Sequence, residues 1–182
     1  MRRFTLLRHA KSSWDDSVRT DFDRPLNAKG RRAAATMGAF LAREGLVFDL
    51  VLASPAMRVR QTIEGVEDGL GRALGPVFDS RIYMASAGVL AELVAALPAG
   101  VNHALLIGHN PGLEDLLLWL VPEGAAGRGA IEEKYPTAAL AELNLLVGAW
   151  SEAGEGCARL ARFTRPRDLD AALGPDVDDC GG

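Results

Sequence analysis

Three short apolar runs in this chain each stop abruptly at polar residues, and that repetition narrows the possible folds more than anything else in it. Residues 4–7 (Phe4-Thr5-Leu6-Leu7) run into Arg8-His9, residues 48–53 into Ser54-Pro55, and residues 103–108 into His109-Asn110-Pro111. An uninterrupted apolar run of this length suits a strand covered on both faces, as in a parallel sheet. The segments between them carry helical spacing. Asn27 caps a predicted helix with Ala33, Ala34, Met37, Phe40 and Leu41 on one side, ending near Gly45. Ser54-Pro55 predicts another, with Ser54 supplying the cap oxygen and Pro55 the preset φ. Further helices are expected over residues 87–97, stopped by Pro98 and Gly100, and over residues 112–120. Strand–helix alternation of this kind predicts an α/β fold with a mainly parallel central sheet.

The remaining segments read less regularly. Val77-Phe78 is a short third strand, and residues 139–146 and 157–164 read as an antiparallel pair joined by the loop 148–156. Residues 123–136 are polar and contain glycine, so a mobile excursion is expected there. A short helix is expected after Arg165, and residues 1–174 are read as one domain followed by a flexible acidic tail, 175–182.

Charge and length exclude several classes. A formal charge of −4 argues against a general nucleic-acid surface. No stretch reads as a secretory leader, and none reaches the ~18 apolar residues of a membrane span, so a cytoplasmic protein without a membrane partner is expected. Cys157 and Cys180 are too far apart for metal-type pairing and are read as reduced thiols.

In a mainly parallel sheet the three polar strand ends share one edge, where open α/β sheets form their ligand crevices. That edge gathers Arg8 and His9, then Arg58 in the first turn after Ser54, then His109. His103, at the opposite end of its strand, is assigned to structure or surface. The loop of residues 11–26 is expected to frame the crevice, and Thr137 to line it. Two guanidiniums, a helix N-terminus and a histidine suit a phosphoryl group, leaving the other histidine to attack phosphorus. For that role His9 needs one ring N–H held by a backbone carbonyl or similar acceptor, and His109 is expected to serve as a cationic donor. Flanking arginines disfavour a metal, and the chain has neither a GxxxxGK[ST] loop nor a GxGxxG turn after a strand, so no cofactor is expected.

The ordered motifs Leu7-Arg8-His9-Ala10-Lys11-Ser12, Asp23-Arg24-Pro25-Leu26-Asn27 with Gly30, Ser54-Pro55-Ala56-Met57-Arg58-Val59-Arg60-Gln61-Thr62 and Gly108-His109-Asn110-Pro111 resemble the histidine phosphatase superfamily, most closely its SixA-type phosphohistidine phosphatases. The resemblance spans about residues 3–165. It implies a three-layer α/β/α sandwich of the phosphoglycerate mutase-like kind and a role in signal transduction. By the same resemblance His9 accepts the phosphoryl group, Arg8, Arg58 and His109 form its pocket, and Arg24 and Ser12 contact substrate. Two departures matter. Ala10 stands where the superfamily usually has glycine, and residues 81–88 lack the carboxylate that many members place after the third strand. Without that acid, a departing imidazole, whose conjugate acid has a pKa near 6.5, is far easier to expel than an alkoxide. The expected partner is therefore a phosphorylated histidine-containing protein, or a small phosphate or phosphoramidate. The alternatives are a broader phosphomonoesterase drawing its acid from Asp16, Asp21 or Asp23, and a phosphate-binding module without catalysis.

Overall fold

A computed structural model describes residues 1–14 and 19–174. The chain forms β1 (Arg2–Arg8), α1 (Ala28–Arg43), β2 (Leu50–Ala53), α2 (Met57–Leu70), β3 (Val77–Phe78), α3 (Ala87–Ala95), β4 (His103–Gly108), α4 (Gly112–Leu120), α5 (Arg128–Glu133), β5 (Leu140–Leu145), β6 (Ala158–Thr164) and α6 (Pro166–Leu169). The strands make one sheet in the order β3-β2-β4-β1-β5-β6. Neighbours from β3 through β1 are parallel, while β5 is antiparallel to both β1 and β6. Only β5 therefore runs against the others, and the carboxyl ends of β1, β2 and β4 meet at one edge.

Successive side chains of a strand point to opposite faces, and the apolar runs use both. Phe4 and Leu6 of β1, with Ala104 and Leu106 of β4, pack under α3 and α4. Leu7, Leu105 and Ile107, with Val51 and Ala53 of β2, pack under α1 and α2. The result is a three-layer α/β/α sandwich, the architecture that the resemblance implied. Glycine lets the helices close in. A Cβ on Gly38 would lie 2.1 Å from the Val66 carbonyl oxygen, and one on Gly69 would lie 2.0 Å from that of Ala35.

Several expected boundaries move. β2 begins at Leu50 rather than residue 48, because Asp49 turns its carboxylate to the Asn102 and His103 N–H groups. α3 ends at Ala95, two residues early, and the β5–β6 pair is trimmed by a residue at most ends. Ser54 does not cap α2. Ala56 holds that position without a side-chain bond, and the Ser54 hydroxyl accepts the Ala56 N–H at 3.4 Å and meets His109. Residues 123–136, expected to be mobile, carry α5 and send Ile131 and Tyr135 into the core. Arg128 ties that segment to the Leu118 and Val121 carbonyls, and the Tyr135 hydroxyl donates to the Leu6 carbonyl at 3.0 Å. Asp16 and the acidic tail lie outside the described residues.

Candidate active site

Register brings the two sheet-edge histidines together. Arg8 lies opposite Gly108 in the parallel β1–β4 ladder, so the next residue on each strand is a histidine. The His9 N–H donates to the Gly108 carbonyl at 3.0 Å, and the two ring centroids are 5.2 Å apart. On the other side of β4, the Ser54 N–H donates to the Ile107 carbonyl, which sets the Ser54 hydroxyl 2.8 Å from His109 Nε2. From the first turn of α2, Arg58 reaches over this edge with its Nε 3.3 Å from His9 Nε2. Thr62, one turn on, accepts the Ala10 N–H at 2.9 Å and donates to the Arg58 carbonyl at 2.6 Å. That hydroxyl pins the segment after β1 to α2.

All six residues singled out in the sequence, Arg8, His9, Ser12, Arg24, Arg58 and His109, line one cavity of about 270 Å³. Lys11, Asp21, Met84, Asn110 and Thr137 complete its wall. Ser12 is held there by a bridge to Leu26 and accepts a hydrogen bond from Arg24 at 2.8 Å. Arg60 turns away, its Nε on the Pro55 carbonyl and its guanidinium over Phe78. His103 is buried elsewhere, its Nε2 2.8 Å from the Thr5 hydroxyl.

The tautomer of His9 follows from its partners. Its Nδ1 lies 2.8 Å from the Ala10 carbonyl oxygen, which can only accept, so Nδ1 carries the proton. The lone pair is then on Nε2, beside Arg58. Burial drives the His9 pKa down to about 3; the Ala10 bond opposes this, and the charges of His109, Arg58 and Arg8 add to it. His109 also falls to about 3, first through burial and then through Arg58. The protein's own groups thus favour a neutral His109, not the cation expected from sequence; an adjacent phosphoryl dianion would shift that balance back. If Ser54 donates to Nε2, the proton of His109 sits on Nδ1, which has no hydrogen-bond partner among the described residues.

Asp21 is the part of the site that sequence reasoning listed only as a possible acid. Its carboxylate Oδ2 accepts from Arg58 Nη2 at 2.9 Å and from the Tyr83 hydroxyl at 2.9 Å. Its Oδ1 accepts from Arg24, and its backbone carbonyl takes Arg58 Nη1 at 2.6 Å. Burial pushes this carboxyl upward, but the hydrogen bonds from Tyr83 and Arg24, with the Arg58 charge, outweigh it and hold the pKa at about 2. Arg58 is 1% exposed, and an unpaired guanidinium at that depth would cost several kcal/mol. Asp21 offsets that cost. Tyr83 and Met84 close the wall where a carboxylate was sought: the Tyr83 ring stands edge-on to His109, and Met84 Sδ lies 3.7 Å from Arg58. Among the described residues, no three His, Cys, Asp or Glu side chains converge as metal ligands.

Comparison with known proteins gives this site its class. The model of the histidine phosphatase superfamily (branch 1) matches residues 4–95, and the chain belongs to that superfamily of phosphatases. An uncharacterised Mycobacterium tuberculosis protein is 34% identical over 164 residues, covering 88% of this chain and 100% of its own length. Within the superfamily the chain is of the SixA type. The structure of the SixA protein from Agrobacterium tumefaciens aligns with a TM-score of 0.76 at 31% identity, over 91% of this chain and 98% of that one. Its counterpart from Nakamurella multipartitia aligns with a TM-score of 0.78 at 27% identity, over 91% and 96% of the two chains.

Proposed function

We propose that this phosphatase removes the phosphoryl group from a phosphohistidine on a partner protein in the cytoplasm, without a metal, through a covalent phosphohistidine on His9. His9 Nε2 attacks phosphorus as the P–N bond to the partner's imidazole breaks, and that imidazole, already protonated by solvent at its other ring nitrogen, leaves as the neutral base. Water then attacks the same phosphorus, releasing inorganic phosphate and restoring neutral His9. Arg8, Arg58 and His109 hold the equatorial oxygens, with Arg24 and Ser12 at the rim.

The observation that carries this reading is the His9 tautomer. Its Nδ1–H is fixed on the Ala10 carbonyl, and its Nε2 lone pair sits beside a buried guanidinium. The neighbouring carboxylate supports the choice of substrate. Asp21, the one carboxylate lining the cavity among the described residues, is held ionised by its partners, and Asp23 is engaged with Thr20 away from the cavity wall. With no ready acid among the described residues, the site favours a leaving group that departs easily, which imidazole is and an alkoxide is not.

A panel of phosphoramidate, a phosphohistidine peptide and alkyl and aryl phosphates, each with and without a chelator, tests this. Phosphoramidates are expected to turn over at least about a hundredfold faster than alkyl phosphates, in line with the loss of acid catalysis at the ester, with the chelator having no effect. Comparable rates on alkyl phosphates would favour the broader phosphomonoesterase.

A further inference from the structure

A second cavity, of about 300 Å³, opens beside the one that holds His9 and shares Arg8, Lys11 and Thr137 with it. Among the described residues its floor is Pro136, Thr137, Pro166, Leu173 and Gly174, and its charged groups are six cations: Arg8, Lys11, Lys29, Lys134, Arg165 and Arg167. No carboxylate lines it among the described residues. They come from four separate stretches: the end of β1 and the segment after it, the first turn of α1, the connection from α5 to β5, and the start of α6. The fold, not a local run of basic sequence, brings them together.

Composition does not require this concentration, since the chain as a whole carries −4. Gathered like charges oppose one another. Among the described residues, Asp168 accepts from Arg165 at 3.0 Å, and Lys29 Nζ lies 2.5 Å from the Gly174 carbonyl. Lys134 and Arg167 stand exposed at the rim. A recess with an apolar floor and a cationic rim suits an anionic group carried on an apolar stem. Because Arg8, Lys11 and Thr137 border both cavities, this recess lies next to a molecule whose phosphoryl group meets His9.

We propose that the substrate carries a second anionic group, a carboxylate or phosphate, which this basic cleft receives while the scissile phosphoryl group sits at His9. The inference rests on the reading of the His9 cavity as the phosphoryl site. Two sources share this chemistry: an acidic side chain flanking the phosphohistidine of a protein, or a second phosphate on a small molecule.

The test uses two matched pairs: phosphohistidine peptides flanked by Glu or by Gln, and butane-1,4-bisphosphate against butyl phosphate. Binding of each is measured calorimetrically to His9→Ala protein, so that nothing turns over, with and without the added pair Lys134→Gln and Arg167→Gln. The member carrying the second anionic group in at least one pair should bind about tenfold more tightly, and the double substitution should abolish that preference while leaving the other member unchanged. A preference confined to the peptides identifies a protein carboxylate as the source; one confined to the bisphosphate identifies a small molecule. The proposal is overturned if neither pair shows a preference, or if the double substitution weakens both members equally. Phosphoramidate turnover by the Lys134→Gln, Arg167→Gln enzyme with His9 intact should stay within twofold of the parent. Failure of the parent itself to turn over phosphoramidate would sink the reading of His9 and leave the binding contrast to decide the cleft.

Discussion

Arg58 and Asp21 make the residue-scale problem of this site. A guanidinium that is almost wholly buried keeps its charge because Asp21 gives it both a carboxylate and a carbonyl oxygen, and the same contacts occupy donors that a phosphoryl group would use. Asp21 therefore acts both as the support of Arg58 and as its internal competitor. Asp21→Asn should lower the melting temperature and at the same time tighten binding of inorganic phosphate several-fold, read by thermal denaturation and by competitive inhibition. Weaker phosphate binding in that variant would mean that Asp21 orients Arg58 for the anion and does not compete with it. Neither role is legible in the sequence, because the pair is 37 positions apart and joined only by the fold. The histidines are different. Arg8-His9 and His109 stand out because each closes an apolar run, and the sheet edge follows from the parallel topology.

At the scale of elements, the site depends on two close approaches. α1 and α2 touch through backbone at Gly38 and Gly69, and α1 meets the segment after β1 at Gly30, where a Cβ would lie 2.0 Å from the Lys11 carbonyl oxygen. Backbone cannot yield as a flexible side chain does, so overpacking there costs on the order of 1–3 kcal/mol. Gly69→Val, at the end of α2 far from Arg58, should lower the melting temperature by several degrees and spare turnover by the folded protein at 25 °C. Gly30→Ala, against Lys11 in the cavity wall, should lower both. Denaturation curves with activity assays on the same samples separate the two; equal loss of activity in both variants would contradict it. Elements misread from sequence failed for physical reasons. Ser54-Pro55 is a good helix start, but the helix opens two residues further on with Ala56 at the cap, and the Ser54 hydroxyl is left between the Ala56 N–H and His109. Residues 123–136 look polar, yet Ile131 and Tyr135 suffice to anchor them.

For the whole molecule, three buried imidazoles set the response to acid. His9 and His109 are pushed to about 3 and His103 to about 4, each chiefly by burial, with the Arg3 charge adding to the last. Each folded value lies below the unfolded ~6.5, so below that pH the unfolded chain binds more protons than the folded one. The stabilisation is fully present above about 6.5 and is lost as pH falls towards 3–4, each histidine adding up to about 1.4 kcal/mol per pH unit within that window. Asp21, with its lowered value, acts in the same direction but only below ~4. Stability from chemical denaturation should fall steadily from pH 7 to 4, and His103→Gln, which leaves the cavity intact, should flatten that slope; a flat profile in the parent would contradict the burial account. We further propose that residues 1–174 unfold as one unit, because one sheet joins every layer; two separate transitions would argue against it. The central claim is narrower, that His9 carries the phosphoryl group in passing. Brief incubation with ³²P-labelled phosphoramidate, an alkaline quench and peptide mapping should place an acid-labile, base-stable label on His9 and none on His9→Ala protein. Continued turnover by His9→Ala at the parent rate, or a label on any other residue, would contradict it.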